Sequence, residues 1–280
     1  MQVIVRRSLS ILFLSLAACW PARNYPDPAS PRVAGVGPNG IRAARGDTLR
    51  IVSFNIEYAR RTRGAAHVLT TAAPLRDADI ILLQEMTGRA TRYLANELGM
   101  QYVYYPAIYN RILRQDVGNA ILSRWPMSAD SKLILPARSR YARTQRIATA
   151  ATVEVGPVSL RVYSTHLGTP ADVGWEGRVA QLGRIFEDAA AYPDVVIGGD
   201  MNSGEIGRVA RDSGYVWPTD TVPRSSAFGR LDHFFLRGAI AAKLVGAGTQ
   251  RVARSVSDHH PIWMRLLIAD LRRQPNKGSN

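Results

Sequence analysis

The chain has 280 residues, 46% apolar and 21% charged, with 36 Lys+Arg against 22 Asp+Glu and a formal net charge of +14. That balance excludes a mostly disordered chain and supplies enough apolar residues for a buried core. Cys19 is the one cysteine, which excludes an intrachain disulfide and a Cys-rich zinc site, and the five histidines form no HExxH pair. The positive excess is arginine; the lysines are Lys132, Lys243 and Lys277. Arginine suits bidentate contact with phosphate, so an anionic partner is expected: nucleic acid, a phospholipid surface or a small phosphate ester.

Residues 1–19 place Arg6 and Arg7 before an apolar run from Ser8 to Ala18, short for a bilayer span. The run ends in Leu16-Ala17-Ala18-Cys19, which resembles the lipobox of bacterial lipoproteins. That resemblance implies a lipidated Cys19 as first residue of the mature chain, a membrane partner and a place in the bacterial cell envelope. A plain secretory signal or a short buried helix is the competing reading. Residues 20–46 carry five prolines from Pro21 to Pro38 and are expected to form an unpacked tether. The folded unit is then 47–269, one domain, followed by a basic polar tail over 270–280.

Within that unit, 49–56 alternates and is β-branched, as a strand does. Residues 59–67 are basic and contain glycine, a loop or helix start. Residues 78–85 form a short apolar run of the buried-strand kind, and 90–98 has helical composition that stops at Gly99. Strands are expected around 101–107 and 118–124. Two more, 146–155 and 158–167, meet at Gly156-Pro157 as a hairpin. An amphipathic helix over 175–191 precedes a strand at 194–202, and short strands follow near 230–236, 243–252 and 261–268. Hairpins and strand–helix–strand units together predict an α/β sandwich with mixed sheets.

Polar residues suited to metal or proton chemistry flank these runs: Asn55, Glu85, His166 and Asp200 with Asn202 follow them, and Asp232 and Asp258-His259 precede them. In α/β sheets such strand ends converge on one crevice. Taken singly, each is more often a turn or cap residue. Asp200 and Asn202, two apart, are expected to face one side of an extended chain.

Taken in order, SFNI, QE, GNAILSR, STHL, GDMN, RLDHFF and SDHHP resemble the endonuclease/exonuclease/phosphatase superfamily, from about Ile51 to Pro261. The resemblance implies a four-layer α/β sandwich, two central mixed β-sheets flanked by helices, and a divalent-metal-dependent phosphodiester hydrolase using Mg²⁺ or Mn²⁺. It implies metal ligation by Asn55, Glu85 and Asp258. It assigns Asp200 to the attacking water, Asn202 to the scissile phosphate, Asp232 to orienting His259, and His166 to a phosphate oxygen or the leaving group. Arg146 and Asn119 are the implied phosphate contacts. His166 in STHL is similar to the deoxyribonuclease and sphingomyelinase branches; abasic-site endonucleases and inositol polyphosphate phosphatases carry other motifs. The deoxyribonuclease branch pairs this histidine with an earlier glutamate, for which 101–114 offers no acidic residue, only Asp116 beyond it.

Three functions follow as expectations. The arginine excess favours an envelope-anchored nuclease on DNA or RNA. The membrane anchor favours a phospholipid or sphingomyelin phosphodiesterase. A catalytically silent anion-binding lipoprotein is the third, disfavoured because every chemical position is intact. No protein partner is implied, and a monomer is expected. Arg60, Arg61, Arg63 and the run Arg138, Arg140, Arg143 read as solvated surface. Tyr102, Tyr104 and Tyr105 read as packing, and Arg178 and Gln181 as structural.

Overall fold

β-Branched and aromatic runs fit the pleated, doubly covered surface of a buried sheet, and here they form its strands. The structure, a computed structural model, describes residues 22–37 and 46–268. In chain order the elements are β1 (Ala22–Asn24), β2 (Val33–Val36), β3 (Thr48–Asn55), α1 (Thr62–Thr71), β4 (Ile80–Met86), α2 (Gly88–Leu98), β5 (Gln101–Asn110), β6 (Gln115–Ser123), β7 (Met127–Ile134), β8 (Ile147–Val155), β9 (Val158–His166), α3 (Trp175–Ala189), β10 (Asp194–Asp200), α4 (Ile206–Asp212), β11 (Asp232–Arg237), β12 (Leu244–Thr249) and β13 (Ile262–Leu267).

One sheet runs β1-β5-β6-β4-β3-β13-β12, with β2 also on β5; the other runs β11-β10-β9-β8-β7. Both are mixed: β3–β4 and β9–β10 are parallel, while β8–β9 and β3–β13 are antiparallel. Strand alternation sorts the core into layers. Leu49, Ile51, Leu82, Val162, Val196 and Phe234 pack between the sheets. Val52, Phe54, Ile81 and Leu83 face outward under α1 and α2. Tyr163, Val195, Ile197 and Phe235 lie under α3 and α4. This is the expected four-layer sandwich. Helix α2 starts where the Thr87 side chain accepts the Ala90 N–H at 3.1 Å and stops at left-handed Gly99. Strand β7 and helix α4 carry weaker patterns and were not expected.

The tether expectation is corrected over 22–36. β1 and β2 are paired strands on β5, Ala22 opposite Asn110 and Val33 opposite Tyr104. Pro26, Pro28 and Pro31 fall between the two strands, where no ladder hydrogen bond is needed. Lys132 Nζ donates to the Tyr25 and Ser30 carbonyls at 3.2 and 2.6 Å, and Arg32 grips Asp130 through two bonds of 2.6 and 2.7 Å. The folded unit therefore includes residues 22–36. The expected signal segment with Cys19 lies outside the described residues, as does the tail over 270–280. Among the described residues no helix is long and apolar enough to cross a membrane.

Candidate active site

The second sheet delivers a row of polar groups by plain register. His166 ends β9 opposite Asp200 of β10, and Asp200 lies opposite Asp232 of β11. All three share the face on which Val162, Val196 and Phe234 are buried deeper between the sheets. Gly199 makes the close approach possible. Its φ is +152°, and a Cβ there would lie 1.9 Å from the Thr165 carbonyl oxygen.

The first sheet uses a bulge. Asn55 follows Leu49 and Ile51 on the inner face of β3. In β4 regular alternation would put Glu85 outside with Leu83. The pairing with β6 shifts between Leu83 and Met86, and Glu85 adopts φ +56°, which turns its carboxylate into the cleft. Gln84 also points inward and donates to Ser164 Oγ at 3.0 Å, bolting the sheets together below the site.

The groups meet across the sheets. Asn55 Nδ2 donates to Asp200 Oδ2 at 3.1 Å and lies 3.4 Å from Glu85 Oε1. Glu85 Oε2 accepts the Tyr58 N–H at 2.9 Å. That N–H is aimed by a left-handed run, Glu57, Tyr58 and Ala59, at φ 39°, 56° and 55°. His166 sits between two carboxylates, Nε2 3.4 Å from Asp200 Oδ2 and Nδ1 3.8 Å from Glu85 Oε1. The first histidine thus faces Glu85, whereas Asp116 accepts the Tyr25 hydroxyl at 2.6 Å. His259 Nδ1 lies 2.7 Å from Asp232 Oδ2, and its Nε2 points toward Asp200 at 3.6 Å.

Burial and neighbouring charge push these groups apart in acidity. Burial raises the Asp200 carboxyl, and the Asp232 charge adds to it, against the pull of His259, the Asn202 N–H and Asn55. Burial alone would lower His259; the charge and hydrogen bond of Asp232, with Asp200 and Asp258, overcome it and raise the imidazolium to about 10. His166 is held well below its usual value by burial and by the positive charges of Arg146 and His259. Burial also raises Glu85, an effect the Asp258 charge reinforces and Arg146, Asn55 and the Tyr58 N–H oppose.

Arg146, Asn119, Glu85, His166 and Tyr58 line one cavity of about 280 Å³. Asn119 also donates to the Ile147 carbonyl at 2.9 Å. Asp258 lines a wider cavity of about 700 Å³ with Arg224, Arg251 and Arg254. Asn202 departs from the extended-chain expectation: it lies past the end of β10 at φ +50°. Its N–H donates to Asp200 Oδ1 at 2.9 Å and its side-chain amide to the Leu167 carbonyl at 3.0 Å. A turn, not strand alternation, places it beside Asp200. Tyr102, Tyr104 and Tyr105 are buried in the core. Gln181 accepts the Gly168 N–H at 2.9 Å and donates to the Pro136 carbonyl at 3.0 Å, behind the His166 strand end.

Two contributors escaped the sequence reading. Ser257 donates to the Asn55 carbonyl at 2.7 Å and accepts the His259 N–H at 3.1 Å, joining the two site segments. Its place two residues before a histidine, as in an ST-turn, was the available signal. The Tyr58 N–H had none, since its aim comes from backbone conformation.

The donor chemistry fits a divalent cation. Asp200, Asp232 and His259 bring ligand atoms within 4.8 Å of one another. Of these, His259 already engages Asp232 through Nδ1 and points Nε2 toward Asp200. Glu85 with Asn55 and nearby Asp258 offers hard oxygen donors, and the burial that raises Glu85 is relieved by a bound cation.

The sequence matches the model of the Endonuclease/Exonuclease/phosphatase family over residues 52–259. No curated protein matches it. Among solved structures, an endonuclease/exonuclease/phosphatase from Beutenbergia cavernae superposes with a TM-score of 0.64 at 20% identity, covering 80% of this chain and 72% of that one. A family protein from Leptotrichia buccalis gives 0.62 at 16% identity, over 78% and 99% of the two chains. Truncated TDP2 from Caenorhabditis elegans gives 0.57 at 20% identity, over 80% and 99%.

Proposed function

The chain belongs to the endonuclease/exonuclease/phosphatase family, and from that premise we propose that it is a Mg²⁺- or Mn²⁺-dependent phosphodiester hydrolase, anchored in the bacterial envelope by lipid on Cys19. The observation that carries this reading is the convergence of two unlike walls on one cleft. The row His166–Asp200–Asp232 with His259 faces Asn55 and Glu85, and Arg146 lines the cavity beside Glu85 and His166.

Glu85, Asn55 and Asp258 would hold the cation, which supplies charge neutralisation at a phosphoryl oxygen when bound. Asp200, with its raised affinity for a proton, takes one from the attacking water. The His259 imidazolium, held by Asp232, faces the charge that develops on the phosphoryl group. His166 stays neutral and donates one hydrogen bond to a phosphate or leaving-group oxygen. Arg146 and Asn202 orient the phosphate, and Asn119 shapes the wall below it.

A polynucleotide is the first substrate reading, favoured by the arginines of the wider cavity, Arg224, Arg251 and Arg254. A phospholipid diester is the second, favoured by Ala22, which lines the catalytic cavity three residues after Cys19. The test is full-length protein with supercoiled plasmid and, separately, phospholipid vesicles, in Mg²⁺, Mn²⁺ or EDTA, with His259→Ala alongside. Cleavage of one substrate that EDTA and the variant both abolish is expected. Cleavage that survives in EDTA, or in His259→Ala, overturns the site assignment.

A further inference from the structure

The catalytic chemistry does not require the composition of the cavity's rim. Three segments build it. Strand β1 starts at Ala22, which lines the cavity and pairs with Asn110. The turn after Asn110 reads Arg111-Ile112-Leu113-Arg114, and Asn110 Oδ1 accepts the Ile112 and Leu113 N–H groups at 3.0 and 2.9 Å. The third segment carries Arg140-Tyr141-Ala142-Arg143, with Ala142 in the cavity wall.

These segments are fastened to one another. Asn24 donates to the Arg143 carbonyl at 2.9 Å and accepts the Gln145 N–H at 2.8 Å. The Arg140 and Tyr141 N–H groups are held by the Asp172 carbonyl and carboxylate at 2.9 and 3.2 Å. The rim is a defined surface. On it Ile112 is 77% exposed and Tyr141 72%, each flanked by exposed arginines. The rim carboxylates are engaged, Asp116 by Tyr25 and Asp172 by the backbone.

An aliphatic and an aromatic side chain standing in water between guanidinium groups suit headgroup depth. There the apolar groups reach the acyl boundary and the arginines meet phosphate. Chain length gives an independent argument. Cys19 is three residues from Ala22, a span of at most about 10 Å. A free tether would leave the domain's orientation open; a strand paired to β5 beside the cavity restricts it.

We propose that this rim docks on an anionic phospholipid surface, so that the catalytic cavity opens onto the bilayer. The orientation rests on the lipid-anchor reading above; the docking surface does not. In a lipidated chain the Cys19 thiol is blocked, so Ile112→Cys or Tyr141→Cys provides one free thiol for an environment-sensitive fluorophore. Val245→Cys, on β12 at the opposite edge of the sheet and 55% exposed, is the control. In vesicles of phosphatidylcholine with phosphatidylglycerol, the labels at 112 and 141 shift to the blue and resist an aqueous quencher, while the label at 245 does neither.

Two labels per chain by mass would show an unblocked Cys19 and remove the anchor reading; the same comparison on a Cys19→Ser background then still reads the docking. Arg111→Gln and Arg140→Gln each weaken vesicle binding about fivefold without changing hydrolysis of a soluble phosphodiester. Labels at 112 and 141 that quench like the one at 245 would overturn the proposal. So would arginine variants that lose oligonucleotide binding but keep vesicle binding, which would give the rim to nucleic acid.

Discussion

The two walls of the cleft are built differently. The wall from the second sheet is regular: three strands in register put His166, Asp200 and Asp232 in a row, and Gly199 lets β10 approach β9. The wall from the first sheet is irregular. It needs a bulge, a left-handed Glu85 and a left-handed run from Glu57 to Ala59 to bring one carboxylate and one N–H to bear. In the proposed mechanism the regular wall carries the proton chemistry, where close placement decides whether groups couple. The irregular wall carries the oxygen donors, and a bound cation would offset its strain and the burial of Glu85.

The sharpest way to break the regular wall is Gly199→Ala. A methyl 1.9 Å from the Thr165 carbonyl cannot be accommodated without moving β9 from β10. The variant is expected to lose about 3 kcal/mol or more of stability, or to fail to accumulate as folded protein. Wild-type thermal unfolding with activity intact would show that the approach of His166 to Asp200 does not depend on glycine.

On the other wall Glu85→Gln separates metal from fold. Metal affinity should fall at least about 10–100-fold by calorimetry, the range known for perturbing a metal's surroundings. The folded-state value of Glu85 is raised, so its ionisation opposes folding as pH rises through the carboxylate range. Metal-free Glu85→Gln should therefore unfold at a higher temperature than metal-free wild type at pH 8, and gain less from added Mg²⁺. A lower melting temperature would contradict the burial argument.

Much of this was legible before the fold was known, and the division follows the same two walls. Residues placed by strand periodicity could be read as candidates: Asn55, His166 and Asp200 end apolar runs, and Asp232 begins one. Glu85 could be named because it ends such a run, but not why it faces inward, since the bulge is a tertiary feature. Asn202 was given the right neighbour for the wrong reason. Residues 22–36 were read as tether because proline and glycine content averages over a window. The two short strands avoid the prolines, and their partners on β5 lie far along the chain, as Val36 opposite Gln101 and Ala22 opposite Asn110 do, beyond any local pattern.

Rate against pH tests the regular wall more finely. In the proposed mechanism Asp200 must be ionised to accept a proton, and its value is raised, so activity is expected to fall as pH drops through a point above the usual carboxylate range. The same mechanism needs His259 protonated, and that proton is lost as pH rises through about 10. Asp232 raises both. Asp232→Asn should move the acid limb of kcat/KM down and the alkaline limb down, displacing the whole profile toward acid at reduced height. A profile that keeps its alkaline limb would mean that Asp232 does not hold the imidazolium.

The smallest expected effect lies in the irregular wall. Ala59 has φ +55°, where a Cβ costs about 1 kcal/mol and glycine nothing. Ala59→Gly should raise stability by up to about 1 kcal/mol by denaturant titration, less the greater freedom of glycine in the unfolded chain. It should also loosen the Tyr58 N–H that steadies Glu85 Oε2, so a stability gain should come with weaker metal binding. If strain here is part of the site, the two effects have opposite signs. If both fall together, the left-handed run is ordinary packing, and the contrast between the two walls reduces to the bulge at Glu85.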